Sequence, residues 1–207
     1  MAHPDRRHLI LSGAAALALG LLPRAAGAVQ SCTLSDGTRW CRSRLAAGMR
    51  AQRTQRQNRD QWCWAAALSM IFGYYGHPTS QERIVQEVWG RIVDVPRRVD
   101  NVMRDINRSW VDDRGRRFRA SGQRLTLDPI ELPKRAARAL ERDQPLIVGT
   151  LGHATVLTEM RWSIDADGWL FVSHLIVSDP ADGSVRDLTL EERLLTDFVA
   201  AVDVRRS

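Results

Sequence analysis

The chain has 207 residues, 44% hydrophobic and 26% charged, enough apolar material for one globular domain with a sizeable core and too much for a disordered chain. Its formal net charge of +6 is carried almost wholly by arginine, Lys134 being the one lysine. There is no CxxC, no HExxH and no phosphate-binding glycine loop. That excludes zinc-ribbon, zincin and P-loop chemistry and leaves no metal and no cofactor expected.

Residues 1–28 read as a signal peptide. Met1 to His8 is polar and carries Arg6-Arg7, and Leu9 to Leu22 is an apolar run of 14 residues, shorter than a bilayer span. Pro23 and the small stretch Ala26-Gly27-Ala28 then give an A-x-A-type site, with cleavage expected after Ala28. The arginine pair resembles a twin-arginine signal, with ordinary Sec export the alternative. An uncleaved anchor is the competing reading. The expectation is an exported protein, periplasmic or secreted, with no stable membrane association after cleavage and no stated oligomeric state.

Export makes the cysteines informative, because disulfides persist in oxidising compartments. Cys32 and Cys41 flank a segment whose Asp36-Gly37 is a strong turn signal, so a Cys32–Cys41 disulfide closing a small hairpin is predicted. Cys63 is then the odd one, either a reactive thiol or an intermolecular partner, unless it pairs with one of the other two. Residues 29–54 form an N-terminal extension and 55–207 the main domain. Arg39, Arg42, Arg44, Arg50, Arg53, Arg56 and Arg59 cluster before it. Trp40 is the one aromatic residue among them, too few for an interleaved pattern, so a solvated arm or a surface for an acidic partner is expected and no nucleic acid.

In chain order, a helix is predicted over 62–76, with Trp64, Ala65, Ala67, Leu68, Ile71, Phe72 and Tyr75 apolar, stopped by His77-Pro78. Thr79 to Glu82 reads as a capping box for a helix over roughly 80–90, and Pro96 as the start of a third. Residues 111–127 read as a loop or hairpin ending in a short strand near Leu125–Leu127. A fourth helix covers about 131–142. Strands follow at Leu146–Gly149, Ala154–Arg161, Trp169–Val177, Val185–Leu190 and Phe198–Val204, with turns at Asp165–Gly168 and Asp179–Gly183. Helices first and an antiparallel sheet afterwards argue for an α+β fold.

The chemistry gathers around Cys63, in the first turn of the first helix. A helix N-terminus carries about half a positive charge, which stabilises a thiolate. The alternative is a small buried hydrophobe. A nucleophile also needs a base and oxyanion donors. His77 sits at a helix end beside Pro78, and His174 lies inside a strand. His153 follows Gly149-Thr150-Leu151-Gly152 at a strand start, a rigid mount with room for substrate. Asp179, after the return strand, is placed to orient an imidazole, though Asp-Pro is also an ordinary turn.

The order Gln57, Trp62-Cys63-Trp64-Ala65-Ala66, Met70-Ile71, Tyr74-Tyr75-Gly76, Ser80-Gln81-Glu82, Gly152-His153-Ala154 and Asp179-Pro180 resembles the papain-like cysteine peptidases over about residues 55–207. It is similar to their compact bacterial branch, which includes secreted effector proteases of plant pathogens, and distantly to bacteriocin-leader peptidases. The resemblance implies a nucleophile helix packed on a C-terminal antiparallel sheet. It implies Cys63 as nucleophile, His153 as base and then acid, Asp179 as its orienting group, and the Gln57 amide with the Cys63 N–H as oxyanion hole. Gln61 is the competing donor, but Gln57 has the family's spacing, six residues before the cysteine. Plant papains use Asn where this chain has Asp179, and the 90 residues from Cys63 to His153 are fewer than theirs, so specificity does not carry over. The function expected is cleavage of a peptide or protein substrate through a thioester. The alternatives are a papain-fold acyltransferase, deamidase or amidase, or a catalytically silent binding module.

Overall fold

The structure, a computed structural model, describes residues 29–46 and 54–206. The expected signal peptide at 1–28 lies outside them, as do Arg50 and Arg53. Among the described residues there are five helices and nine strands, and no helix is long and apolar enough to cross a membrane.

Strands β1 (Val29–Ser35) and β2 (Thr38–Arg44) form a hairpin around Asp36 and Gly37, both at positive φ, and Cys32 is bonded to Cys41 directly across it. Then come helix α1 (Cys63–Tyr74), α2 (Gln81–Trp89) and α3 (Val99–Ile106). The hairpin β3 (Ser109–Val111) and β4 (Arg117–Arg124) is followed by α4 (Glu131–Glu141). Strands β5 (Leu146–Thr150), β6 (His153–Ile164), β7 (Leu170–Asp179) and β8 (Ser184–Asp187) follow, then helix α5 (Leu190–Leu194) and β9 (Thr196–Arg206).

All nine strands share one antiparallel sheet, ordered β1-β2-β6-β5-β9-β4-β3, with β7 on the other edge of β6 and β8 beyond it. Residues 153–157 of β6 pair with β5, and residues 159–164 pair with β2. Helices do not simply precede the sheet, therefore: the N-terminal hairpin and β3–β4 are built into it by long-range pairing. The tie between β2 and β6 is reinforced from within. Buried Glu159 receives two hydrogen bonds from Arg42, at 2.8 and 2.7 Å, and one from Arg161 at 2.9 Å. Arg42, read as part of a solvated arm, is thus an internal ion-pair partner, because a buried carboxylate needs a cation.

Helix boundaries differ from expectation where local signals compete. Ser80, not Thr79, caps α2, accepting from the Arg83 N–H, while the buried Thr79 hydroxyl donates to the His77 carbonyl. Pro96 lies in an irregular segment before α3, whose N-cap is Arg98. β4 ends at Arg124, so Leu125–Leu127 follow the strand rather than form it. His77 lies in the loop after α1, turned inward. It is buried, its ring stacks on Phe118 at 4.5 Å, and its Nδ1 meets Asp112 at 3.2 Å. Burial pushes the Asp112 carboxyl up, but bonds from Arg116, Arg114 and His77 outweigh it and hold the pKa at about 2.

The core centres on α1, ten of whose twelve residues are buried. Phe72 is fully buried, its ring 5.1 Å from Trp110 and 4.9 Å from Phe118. Removing it leaves a cavity between the helix and the β3–β4 hairpin. Phe72→Ala should lower unfolding free energy by about 3–5 kcal/mol in denaturant titration.

Candidate active site

The polar run before Cys63 is fastened at both ends. The Gln57 N–H donates to the Pro180 carbonyl at 2.7 Å, and the Thr54 and Ser178 hydroxyls lie 3.0 Å apart. Gln81 of α2 accepts from the Asn58 N–H and donates to the Arg56 carbonyl. On the far side, Trp62 Nε1 donates to Val93 O, Trp64 Nε1 to Val95 O, and the Gln61 N–H to Asp94. Both tryptophans of the motif are therefore buried with their indole N–H groups anchoring segment 93–95. The cysteine turn is thereby held between the Asp179-Pro180 corner and the 93–95 wall.

Cys63 is a half-buried free thiol at the first residue of α1. His153 opens β6 after a two-residue turn, Leu151 and Gly152, with φ of 52° and 74°. Only such positive-φ turns match the strand twist in a two-residue hairpin, and Gly152 adopts one freely whereas Leu151 does so at a cost of about 1–2 kcal/mol. Gly149 has another role. A Cβ there would sit 3.1 Å from Phe198 Cβ and 3.2 Å from an Asp197 carboxylate oxygen, so its absence lets β9 close on β5.

His153 Nε2 lies 2.6 Å from Asp179 Oδ1, and His153 and Cys63 line the same cleft. The bond to Asp179, and after it the nearby Cys63, raises the His153 pKa to about 9 against the opposing effect of burial. Burial would raise the Asp179 carboxyl, but hydrogen bonds from His153, the Ala181 N–H and Arg186 hold it well below the usual carboxylate range. At neutral pH the pair is imidazolium and carboxylate.

The structure thus brings Cys63, His153 and Asp179 together. A cleft of about 140 Å³ opens over Cys63 and His153, with Val99, Val102, Ile147 and Phe198 as apolar wall. Gln61 lines it, with Asp60 and Asp197. Gln57 does not, and its amide Nε2 donates to the carbonyls of Arg59, at 2.9 Å, and Asp60, at 2.7 Å. His174 lies elsewhere, bonded to Asp187 at 2.6 Å. Sequence reasoning missed Arg186 and Glu192. Arg186 bonds Asp179 at 2.7 Å and Glu192 at 2.8 and 2.6 Å. No motif announces them, since an arginine in a short edge strand looks like any solvated one.

A helix-borne thiol beside a histidine–aspartate pair is the equipment of papain-like cysteine proteases. The chain belongs to the family described as papain-like cysteine protease AvrRpt2, whose family model matches residues 47–193. That is a family of cysteine peptidases, hydrolases with protein substrates. None of the curated proteins matches the chain.

The raised His153 pKa carries a stability signature. The imidazolium is favoured in the folded chain, so its contribution is complete below the ordinary value near 6.5 and is lost as pH rises through about 9. The unfolding free energy of the chain should therefore fall between pH 6.5 and 9, by on the order of 2 kcal/mol, and that slope should flatten in His153→Gln.

Proposed function

We propose that the chain is an exported cysteine peptidase with a Cys63–His153–Asp179 triad on a papain-like arrangement, α1 bearing the nucleophile and the sheet bearing the other two. The observation that carries the reading is His153, hydrogen-bonded to Asp179 at 2.6 Å and sharing one cleft with Cys63. The Cys63 thiolate, paired with the His153 imidazolium, attacks the scissile carbonyl carbon. His153 gives its proton to the departing amine, so the peptide C–N bond breaks and a thioester remains. Water, deprotonated by His153, then attacks the thioester, releasing the acid and restoring the thiolate. Asp179 keeps the imidazole in plane and stabilises its charge throughout.

The developing oxyanion faces the start of α1, where the Cys63 backbone N–H and the helix dipole favour negative charge. Gln57 is proposed as the side-chain donor. Both of its amide hydrogens rest on the Arg59 and Asp60 carbonyls, so donation to substrate means exchanging one of those bonds. Gln57→Ala should lower kcat on the order of a hundredfold, and Gln61→Ala far less. The reverse result would assign the donor to Gln61, which already lines the cleft.

The nucleophile is tested without a substrate. Iodoacetamide alkylation, followed across pH by mass spectrometry, should label Cys63 with a rate that depends on His153 and drops in His153→Ala. Cys63→Ala should abolish turnover. Cleavage products with a new chain N-terminus identify a peptidase, whereas transfer to an amine or loss of ammonia would make the chain a transferase or deamidase on the same fold. An inert Cys63 would remove the catalytic reading altogether.

A further inference from the structure

We propose that Arg186 is a positioning residue of the site, clamping the Asp179 carboxylate in the plane that His153 requires and being held itself by Glu192. The inference deepens the triad reading and rests on it for its kinetic arm alone.

Asp179 ends β7 and is almost fully buried. Its Oδ1 takes His153 Nε2 at 2.6 Å and the Ala181 N–H at 2.8 Å. Its Oδ2 takes Arg186 Nε at 2.7 Å. Each oxygen has its donors, so the carboxylate cannot rotate without stranding a buried acceptor. Arg186 comes from β8, which among the described residues is an edge strand bonded only to β7, and that would leave so long a side chain mobile. Glu192 prevents that by receiving the other two guanidinium nitrogens in a fork. Glu192 is fixed in turn by the capping box of α5, where it accepts from the Thr189 N–H.

The loop then closes on the histidine. The backbone carbonyl of Glu192 accepts from the Thr150 hydroxyl at 2.8 Å, and Thr150 is the β5 residue paired with His153. The path His153, Asp179, Arg186, Glu192, Thr150 is therefore a ring of five residues that returns to its start. Both the carboxylate and the strand that carries the imidazole are set by one guanidinium and one helix cap. A lone Asp179 would be free to tilt toward water, and a misplacement near 1 Å at a reacting group costs about a hundredfold in rate.

The test reads the imidazole directly. In the full chain, proton NMR of the His153 ring, assigned by its absence in His153→Gln, should titrate near 9. In Arg186→Met the midpoint should fall by more than one pH unit, because the carboxylate no longer holds its plane. In Arg186→Lys it should recover part of the way, since an ammonium reaches Asp179 but lacks the fork for Glu192. With a peptide substrate, Arg186→Met should lower kcat about a hundredfold with KM nearly unchanged. An unchanged midpoint in folded Arg186→Met overturns the proposal. So does an upward shift, which would show Arg186 to be a repelling charge and nothing more. Should Arg186→Met fail to fold, an unchanged midpoint in Arg186→Lys is equally fatal. If no variant, nor the parent chain, cleaves peptides while the midpoint moves as stated, the peptidase reading falls and the clamp stands.

Discussion

Helix α1 is apolar on every side, and that constraint shapes the rest of the molecule. Its N-cap, Trp62, makes no side-chain capping bond to the helix, and its first turn has no acidic residue. Such a helix has little to hold it in water, and its stability comes from enclosure. The sheet, α2 and the β3–β4 hairpin supply that enclosure, with Phe72 meeting Trp110 and Phe118 on one side. The missing cap has a second effect. The backbone N–H groups at the start of α1 are not consumed by a capping side chain, so the end of the helix that bears the thiol keeps its positive pole.

The polar segment ahead of α1 converts that buried rod into a site. Residues 54–64 bond to the β7 terminus through Pro180 and Ser178, to α2 through Gln81, and to the 93–95 wall through Gln61 and the indoles of Trp62 and Trp64. The cysteine is therefore placed relative to Asp179 by main-chain contacts as well as through His153. Polar groups in the sequence's most hydrophilic stretch are largely consumed in fixing geometry.

How much of this could be read in the sequence depended on the range of the signal. Cys63 stood at a change from polar to apolar texture, His153 after a glycine-flanked turn, and Asp36-Gly37 between two cysteines. Each is a local pattern with one physical meaning. Competing local patterns misled: Thr79 and Ser80 both fit a cap, and only the burial of Thr79 against His77 decides for Ser80. The entry of β2 into the central sheet, the partnership of Arg42 with Glu159, and the Arg186–Glu192 fork join residues distant in sequence or hidden in plain charge runs. Their meaning exists only once the chain is folded.

Strand β6 also keeps two kinds of sulfur apart. His153, at one end, shares its cleft with the Cys63 thiol, and Trp162, nine residues on, pairs with Cys41 of the disulfide. At about 3.3 Å per residue the strand sets them roughly 25–30 Å apart. Thiol–disulfide exchange needs the attacking sulfur in line with the bridge, so the folded chain cannot scramble its own bond. An oxidised staple and a reduced nucleophile can then persist in one small protein, insulated by the length of a single strand.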